Sequence, residues 1–209
     1  MVKIDEKLSY LKQRILHMAT IINNMYAKVY EAQDEHNVDK ALEVIKMDEF
    51  VNRLDEEVND LAIENLALLA PVASDLRKVI AAIKITTDLE RIGDYAKNIA
   101  SFVITDGYIN EDIKDDVKIM IDNFLTMLDH AMDCYNKEDL KWAYEIPLED
   151  ENINAAFKSI VDKVKTDENV DHVIAMSSML RNIERAGDHT KNVCEHIIYQ
   201  LKGLHIEFN

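Results

Sequence analysis

The chain has 209 residues, 48% of them hydrophobic, and a formal net charge of −16. That length allows a sizeable core in one or two domains. The charge excludes nucleic acid as a partner, because phosphate binding needs a positive surface, and suits a protein that meets cations or basic protein surfaces.

Four Gly and two Pro are few for this length, and alternating runs rich in Val, Thr and aromatics are absent, so the pattern predicts long helices. The start, MVKIDEKLSYLKQRIL, is too charged for a signal peptide, and no apolar run approaches membrane-spanning length. A cytoplasmic protein, peripheral to a membrane at most, is expected. In chain order, the first helix runs from about Glu6 to Gln33, with Leu8, Leu11, Ile15, Met18, Ile22, Met25 and Val29 at helical spacing. Asn37 or Asp39 caps the second, which carries Leu42, Ile45, Phe50, Leu54, Val58 and Leu61 to a break near Pro71. The third runs from about Val72 to Thr105 and stops before Gly107. Three more follow: Glu111 to Tyr135, Lys137 to Val164 with room for a kink at Pro147, and Glu168 to Lys202 before Gly203. Cys134 and Cys194 lack metal-ligand spacing and read as reduced core thiols.

The chain repeats itself. LERIGDYAKNIA from Leu89 aligns with IERAGDHTKNVC from Ile183, sharing Glu, Arg, Gly, Asp, Lys and Asn. MDEFVN from Met47 aligns with EDENIN from Glu149, placing Asp48 on Asp150 and Asn52 on Asn154. Duplication of a unit of three helices follows, with residues 1–107 as the first and 108–209 as the second. The fold expected is all-α: two tandem pseudo-symmetric three-helix bundles. Gly93 and Gly187 sit inside the motif helices, where each costs about 1 kcal/mol relative to Ala, so a close approach by a neighbouring helix or a bound group is expected there.

On a helix, Glu90, Asp94 and Asn98 form one stripe at i, i+4 and i+8, as do Glu184, Asp188 and Asn192. Both stripes lie opposite an apolar stripe and are expected to face away from the core of their bundle. The plain reading is a solvated face neutralised by Arg91, Lys97, Arg185 and Lys191. Against it, a Glu and an Asp at i, i+4 repel each other, and a second helix carries a matching Asp48/Asn52 or Asp150/Asn154 pair. Carboxylate and amide oxygens from adjacent helices make a hard-ligand site for divalent or trivalent cations: iron, manganese, magnesium or calcium. Arg91 and Arg185 are candidates to hold those carboxylates in place, or form surface ion pairs. Asp75 and Arg77, after a capping Ser74, read either as a helix-start carboxylate beside an ion pair or as a docking surface for a partner.

A carboxylate-bridged metal enzyme is the main catalytic rival, and such bundles place Glu three residues before a ligating His. None of the seven His has an acidic residue at that spacing; His189 does follow Asp188 and so falls near a candidate site. No phosphate loop, nucleophile elbow or Cys–His arrangement is present. An ion-storage protein remains a second rival, because it would use the same carboxylates.

PVASDLRKVIAAIKITTDLERIGDYAKNIA, from Pro71 to Ala100, resembles the signature of the PhoU family of phosphate-signalling proteins. MDEFVN and NIERAGDHTKNVCEHIIYQLKG extend the resemblance over essentially the whole chain. It implies the duplicated bundle and a non-catalytic cytoplasmic regulator that restrains the phosphate-starvation response. The implied partners are the ATPase subunit of a phosphate ABC transporter and a phosphate-sensing histidine kinase; a homodimer is also expected. It further implies iron or zinc on Glu90/Asp94 and Glu184/Asp188, with Asp48 and Asp150 as added ligands. The second unit has NVDHVIAMSSMLRN where the first has PVASDLRKVIAAIK, so the two sites need not be equivalent.

Overall fold

The computed structural model describes residues 2–69, 71, 73–105, 109, 111–165 and 170–208. Among these, the chain forms helices α1 (Val2–Asp34), α2 (Val38–Leu69), α3 (Ala73–Thr105), α4 (Glu111–Lys137), α5 (Leu140–Glu145), α6 (Asp150–Val164) and α7 (Val170–Lys202), with a 3-10 turn at Ile146–Glu149 between α5 and α6. No strand occurs among them. The expected helix starts at Val72 and Glu168 and the stop at Gly107 lie outside the described residues. Helix α1, with 33 residues, spans about 50 Å.

The duplication is visible in the backbone at the first turn of each unit. His36 adopts a left-handed φ of 52° and Glu138 one of 55°. The following residue caps the next helix in both cases: Asn37 Oδ1 accepts from Lys40 N at 3.1 Å, and Asp139 Oδ1 accepts from Trp142 N at 3.1 Å. The same residues close the preceding helices through Asn37 N to Ala32 O and Asp139 N to Cys134 O. Asn37 is thus the cap anticipated for the second helix.

The two units diverge next. Instead of one helix from Lys137 to Val164, the second unit makes α5, the 3-10 turn and α6. Pro147, at the start of that turn, has no N–H to give, and its ring obstructs the carbonyl of Ala143 in a regular helix. The break lies immediately before Asp150.

Helices α1, α2 and α3 pack together, and α4, α5 and α6 pack with α7; the most extensive pairing joins α3 to α7 across the two units. Ile85, Leu89, Ile92 and Ala96 of α3 and Met179, Ile183 and Val193 of α7 are buried in one continuous core. Tyr26 of α1 lies against Phe124 of α4, ring centres 4.6 Å apart, and donates its hydroxyl to Ile92 O at 3.2 Å. Cys134 and Cys194 are buried free thiols, as expected, and burial pushes both upward in pKa, Cys134 to about 11. No helix among the described residues is long and apolar enough to cross a membrane.

Candidate functional site

Gly93 and Gly187 bring each motif helix close to its neighbour. A methyl group built on Gly93 would lie 3.0 Å from Val51 Cγ1 on α2. On Gly187 it would lie 2.7 Å from Asp150 Oδ1 and 3.0 Å from Ile153 Cδ1 on α6. The glycines therefore let α3 settle against α2, and α7 against α6. Glu90, Asp94 and Glu184 are half-buried beside these seams, whereas Asp188 is exposed, and the partner carboxylates on α2 and α6 are the buried ones. Asp48 is only 2% exposed and Asp150 only 4%. The difference has a geometric cause: α3 touches α1, α2 and α7, so α2 reaches round to the edge that a helical wheel assigns to solvent.

In the first unit, Asp48 Oδ2 accepts from Lys97 Nζ at 2.7 Å and from Asn52 Nδ2 at 3.2 Å. Lys97 Nζ also lies 3.6 Å from Asp94 Oδ1. Arg91 reaches Glu90 Oε2 and Asp94 Oδ2, each at 3.5 Å. Burial raises the pKa of Glu90, the charge of Asp94 raises it further, Arg91 opposes, and Asp55 and Asp48 add to the rise. Asp55 is not among the ligands expected from the repeat, yet it stands seven residues after Asp48 on the same face of α2, a spacing that marks it. Its own pKa is raised, chiefly by burial, against a hydrogen bond from Asn59.

The second unit reproduces the arrangement. Asp150 Oδ2 accepts from Lys191 Nζ at 2.9 Å and from Asn154 Nδ2 at 2.8 Å, and Lys191 Nζ is also 2.9 Å from Asp188 Oδ1. Glu184 is approached by Arg181 at 3.9 Å. Arg185 is exposed and makes no ion pair among the described residues, so the role expected of it falls to Arg181.

Asn98 and Asn192 do not join the carboxylates. A position eight residues on is about 80° further round a helix, and both asparagines turn to the seam between the units. Asn98 Nδ2 donates to Asn182 Oδ1 at 3.3 Å, and Asn192 Nδ2 donates to Asp88 Oδ1 at 3.1 Å. These are equivalent contacts in the two copies. Asp88 also accepts from His189 Nδ1 at 2.7 Å and from His196 Nε2 at 3.0 Å. Burial pushes the Asp88 carboxyl up, but the hydrogen bonds from His189, His196 and Asn192 outweigh it and leave the pKa lowered. His189 is therefore near the second motif in sequence but serves the seam. Arg77 donates Nε to Gln200 O at 3.4 Å and packs on Gly203, whose φ is +71°, at the end of α7. Asp75 is half-buried in the first turn of α3.

Among the described residues, no three His, Cys, Asp or Glu side chains already surround one point as metal ligands do. Buried acceptor oxygens without a hydrogen-bond partner include Asp48 Oδ1, Asn52 Oδ1 and Asp55 Oδ1 in the first unit and Asp150 Oδ1 in the second, with others at Asn23, Gln33, Asn65 and Gln200. Such oxygens are costly to bury unpaired, and a cation satisfies several at once. Asp48 and Asp55 stand seven residues, about 10 Å, apart along α2, so one ion could not meet both, and Asp48 Oδ1 is the unpaired oxygen beside the Asp94–Lys97 contact.

Fold and crevices together define a duplicated helical bundle whose polar chemistry lies between helices of one unit, twice over. The PhoU domain profile matches residues 15–103 and 117–197, and the chain belongs to the PhoU family. It is 28% identical over 212 residues to a phosphate-specific transport system accessory protein PhoU homolog of Clostridium acetobutylicum, covering 98% of this chain and 97% of that one. It is 31% identical to the corresponding homolog of Rhizobium meliloti, with 95% and 87% covered. The crystal structure of PhoU from Pseudomonas aeruginosa superposes with a TM-score of 0.88 at 24% identity, covering 96% of this chain and 99% of that one. That of the phosphate transport system regulatory protein PhoU from Streptococcus pneumoniae gives 0.87 at 24% identity, covering 98% and 100%.

Proposed function

We propose that the protein is a non-catalytic cytoplasmic regulator that lowers phosphate uptake and phosphate-starvation signalling. It acts by contact with the ATPase subunit of a phosphate ABC transporter and with a histidine kinase, as a homodimer. The observation that carries this reading is the match of both PhoU repeats along a chain whose relatives are accessory proteins of phosphate-specific transport. The net charge of −16 implies basic docking patches on the partners and association that weakens as salt rises. Asp75, in the first turn of α3, belongs to the proposed docking end, and Arg77 beside it also ties that end to α7.

The ERxGD crevices are proposed as cation sites, iron or zinc in kind with the family, or manganese, magnesium or calcium by ligand chemistry. Asp48, Glu90 and Asp94 would hold the ion in the first unit, where it would supply positive charge between α2 and α3 and stabilise that pairing by mass action. Deleting the gene tests the regulatory reading: phosphate-starvation genes are expected to be derepressed in phosphate-replete medium, and unchanged expression sinks it. Titration against the purified ATPase subunit separates a regulator from an ion store, which would show no saturable binding.

A further inference from the structure

A cavity of about 240 Å³ lies where the two units meet, and none of its lining residues belongs to the ERxGD crevices. Its walls come from α1 and α3 of the first unit, and from α4, the turn after it and α7 of the second. Leu8, Leu11, Ala82 and the ring of Tyr135 give it an apolar side. Burial, with the nearby Glu138 charge, holds the Tyr135 hydroxyl well above its ordinary pKa, so that group is neutral.

The polar side has two features that a ligand would satisfy. Lys12 of α1 and Lys78 of α3 converge on one carboxylate oxygen, Glu138 Oε1, at 4.0 and 3.3 Å. Gln200 of α7 is 5% exposed, and its Oε1 has no hydrogen-bond partner. A buried acceptor without a donor is unfavourable until something supplies one. Asp5 also lines the cavity, which brings the count to two ammoniums and two carboxylates. A bare anion therefore gains little net attraction, and a molecule with both an oxyanion and a donor gains more.

We propose that this cavity binds a small organic phosphate that carries its own N–H donor, with a nucleoside monophosphate as the simplest form. The phosphate takes the place of the Glu138 carboxylate between Lys12 and Lys78, each of which serves phosphate oxygens as a point charge. Glu138 gives way because its side chain is 38% exposed and sits in the turn before α5. Lys12 stays at the mouth by donating to Asn136 O at 2.5 Å. The body of the ligand lies against Leu8, Leu11, Ala82 and Tyr135, and its N–H meets Gln200 Oε1. Both units touch the ligand, so occupancy ties α1 and α3 to α4 and α7 and stabilises the junction by mass action. The site gives the protein a small-molecule input that does not depend on the cation-site reading.

The test is calorimetric titration of the full chain with adenosine 5′-monophosphate, adenosine and inorganic phosphate, in chelating buffer. One equivalent of the monophosphate is expected to bind saturably. Adenosine and phosphate are each expected to bind at least about tenfold more weakly, because each offers only one end. Lys78→Gln and Gln200→Leu are each expected to weaken binding of the monophosphate by about tenfold. Gln200→Leu removes an unpaired buried acceptor, so its melting temperature should not fall. Glu138→Gln is expected to tighten binding by removing the competing carboxylate, whereas Glu43→Gln, the same charge change beside Lys28, leaves it unchanged. Circular dichroism melts confirm that each variant is folded. Phosphate binding as tightly as the monophosphate reduces the site to two surface lysines and overturns the proposal. Binding that ignores Gln200→Leu, or that weakens in folded Glu138→Gln, also overturns it, as does the absence of saturable monophosphate binding in folded wild type.

Discussion

Tyr95 and His189 occupy the same position in the two repeats, 94 residues apart, and they touch: the tyrosine hydroxyl is 3.2 Å from His189 Nε2, with ring centres 5.6 Å apart. A residue meets its own counterpart only on the pseudo-twofold axis, so this pair marks where α3 and α7 cross. On one side of the axis lie Asn98 and Asn182; on the other lie their counterparts Asn192 and Asp88. Three changes separate the sides: Asp88 stands for Asn182, and His189 and His196 stand for Tyr95 and Phe102, which makes the Asp88 side of the seam the stronger.

Replacing Asp88 with Ala is therefore expected to destabilise the protein far more than replacing Asn182. Hydrogen bonds to a charged group contribute about 1.5–3 kcal/mol each in favourable cases, and Asp88 accepts three; the cost of burying its charge offsets part of that, so a net loss of about 3 kcal/mol is expected. In a chain of this size that lowers the melting temperature by roughly 6–12 °C. Asn182→Ala is expected to cost under about 1 kcal/mol. Thermal melts of the two variants side by side check the ranking, and equal shifts would remove the special role of the carboxylate.

The same residue makes a pH prediction. Its folded pKa is depressed, so its contribution is in full force above the ordinary carboxylate range of about 4 and is lost as pH falls through the folded value. The stability gap between wild type and Asp88→Asn is expected to narrow as pH drops below about 4. Urea unfolding at a series of pH values measures this gap. A gap that widens on acidification contradicts the assignment.

The glycines of the motif predict unequal tolerance. Ala is the better helix former by about 1 kcal/mol, so both Gly93→Ala and Gly187→Ala start with a gain. At Gly93 the new methyl meets Val51 Cγ1 at 3.0 Å, a side chain that can yield by a few tenths of an ångström. At Gly187 it meets a carboxylate oxygen at 2.7 Å as well as Ile153 at 3.0 Å, and moving Asp150 disturbs its bonds to Lys191 and Asn154. Gly187→Ala is expected to lose about 2 kcal/mol net, in the range of overpacking, and Gly93→Ala under about 1 kcal/mol. Chemical denaturation curves distinguish the two.

Much of this is legible in the sequence because the chain states it twice. Two repeated landmarks, Asp48/Asp150 and the paired ERxGD segments, predict that α2 pairs with α3 as α6 pairs with α7, and Lys97 and Lys191 bridge those pairs in the structure. Periodicity cannot show which edge of α3 meets α7, because a wheel describes one helix and the seam belongs to two. For that reason spacing alone groups Asn98 and Asn192 with the carboxylates, and the Asp88–His189–His196 cluster has no signal of its own. Asp55 does have one, a seven-residue step from Asp48, but with Phe157 at the matching position it falls outside a reading built on duplication. The break before Asp150 is local chemistry: Pro147 marks its place, yet only packing decides between a kink and a 3-10 turn.

The lysines give a last prediction, independent of any metal. Lys191 is nearly buried and is the ammonium bound to Asp150, itself 4% exposed. Truncation to Ala leaves a buried carboxylate without its counter-charge, and breaking such a pair from one side costs about 3 kcal/mol. Lys97 neutralises an equally buried Asp48, but it is 38% exposed, so solvent screens the pair and water enters readily when the side chain is removed. Lys97→Ala is expected to cost under about 1 kcal/mol. The double variants Lys191→Ala/Asp150→Asn and Lys97→Ala/Asp48→Asn complete the comparison. Neutralising the stranded carboxylate should recover much of the loss in the second unit and little in the first, where little was lost. Melting the wild type and these variants without metal, in a chelating buffer, reads the outcome directly. Equal losses for the two lysines would mean that their difference in burial has no energetic consequence, and that Lys191 is no more a fixed part of its unit than Lys97.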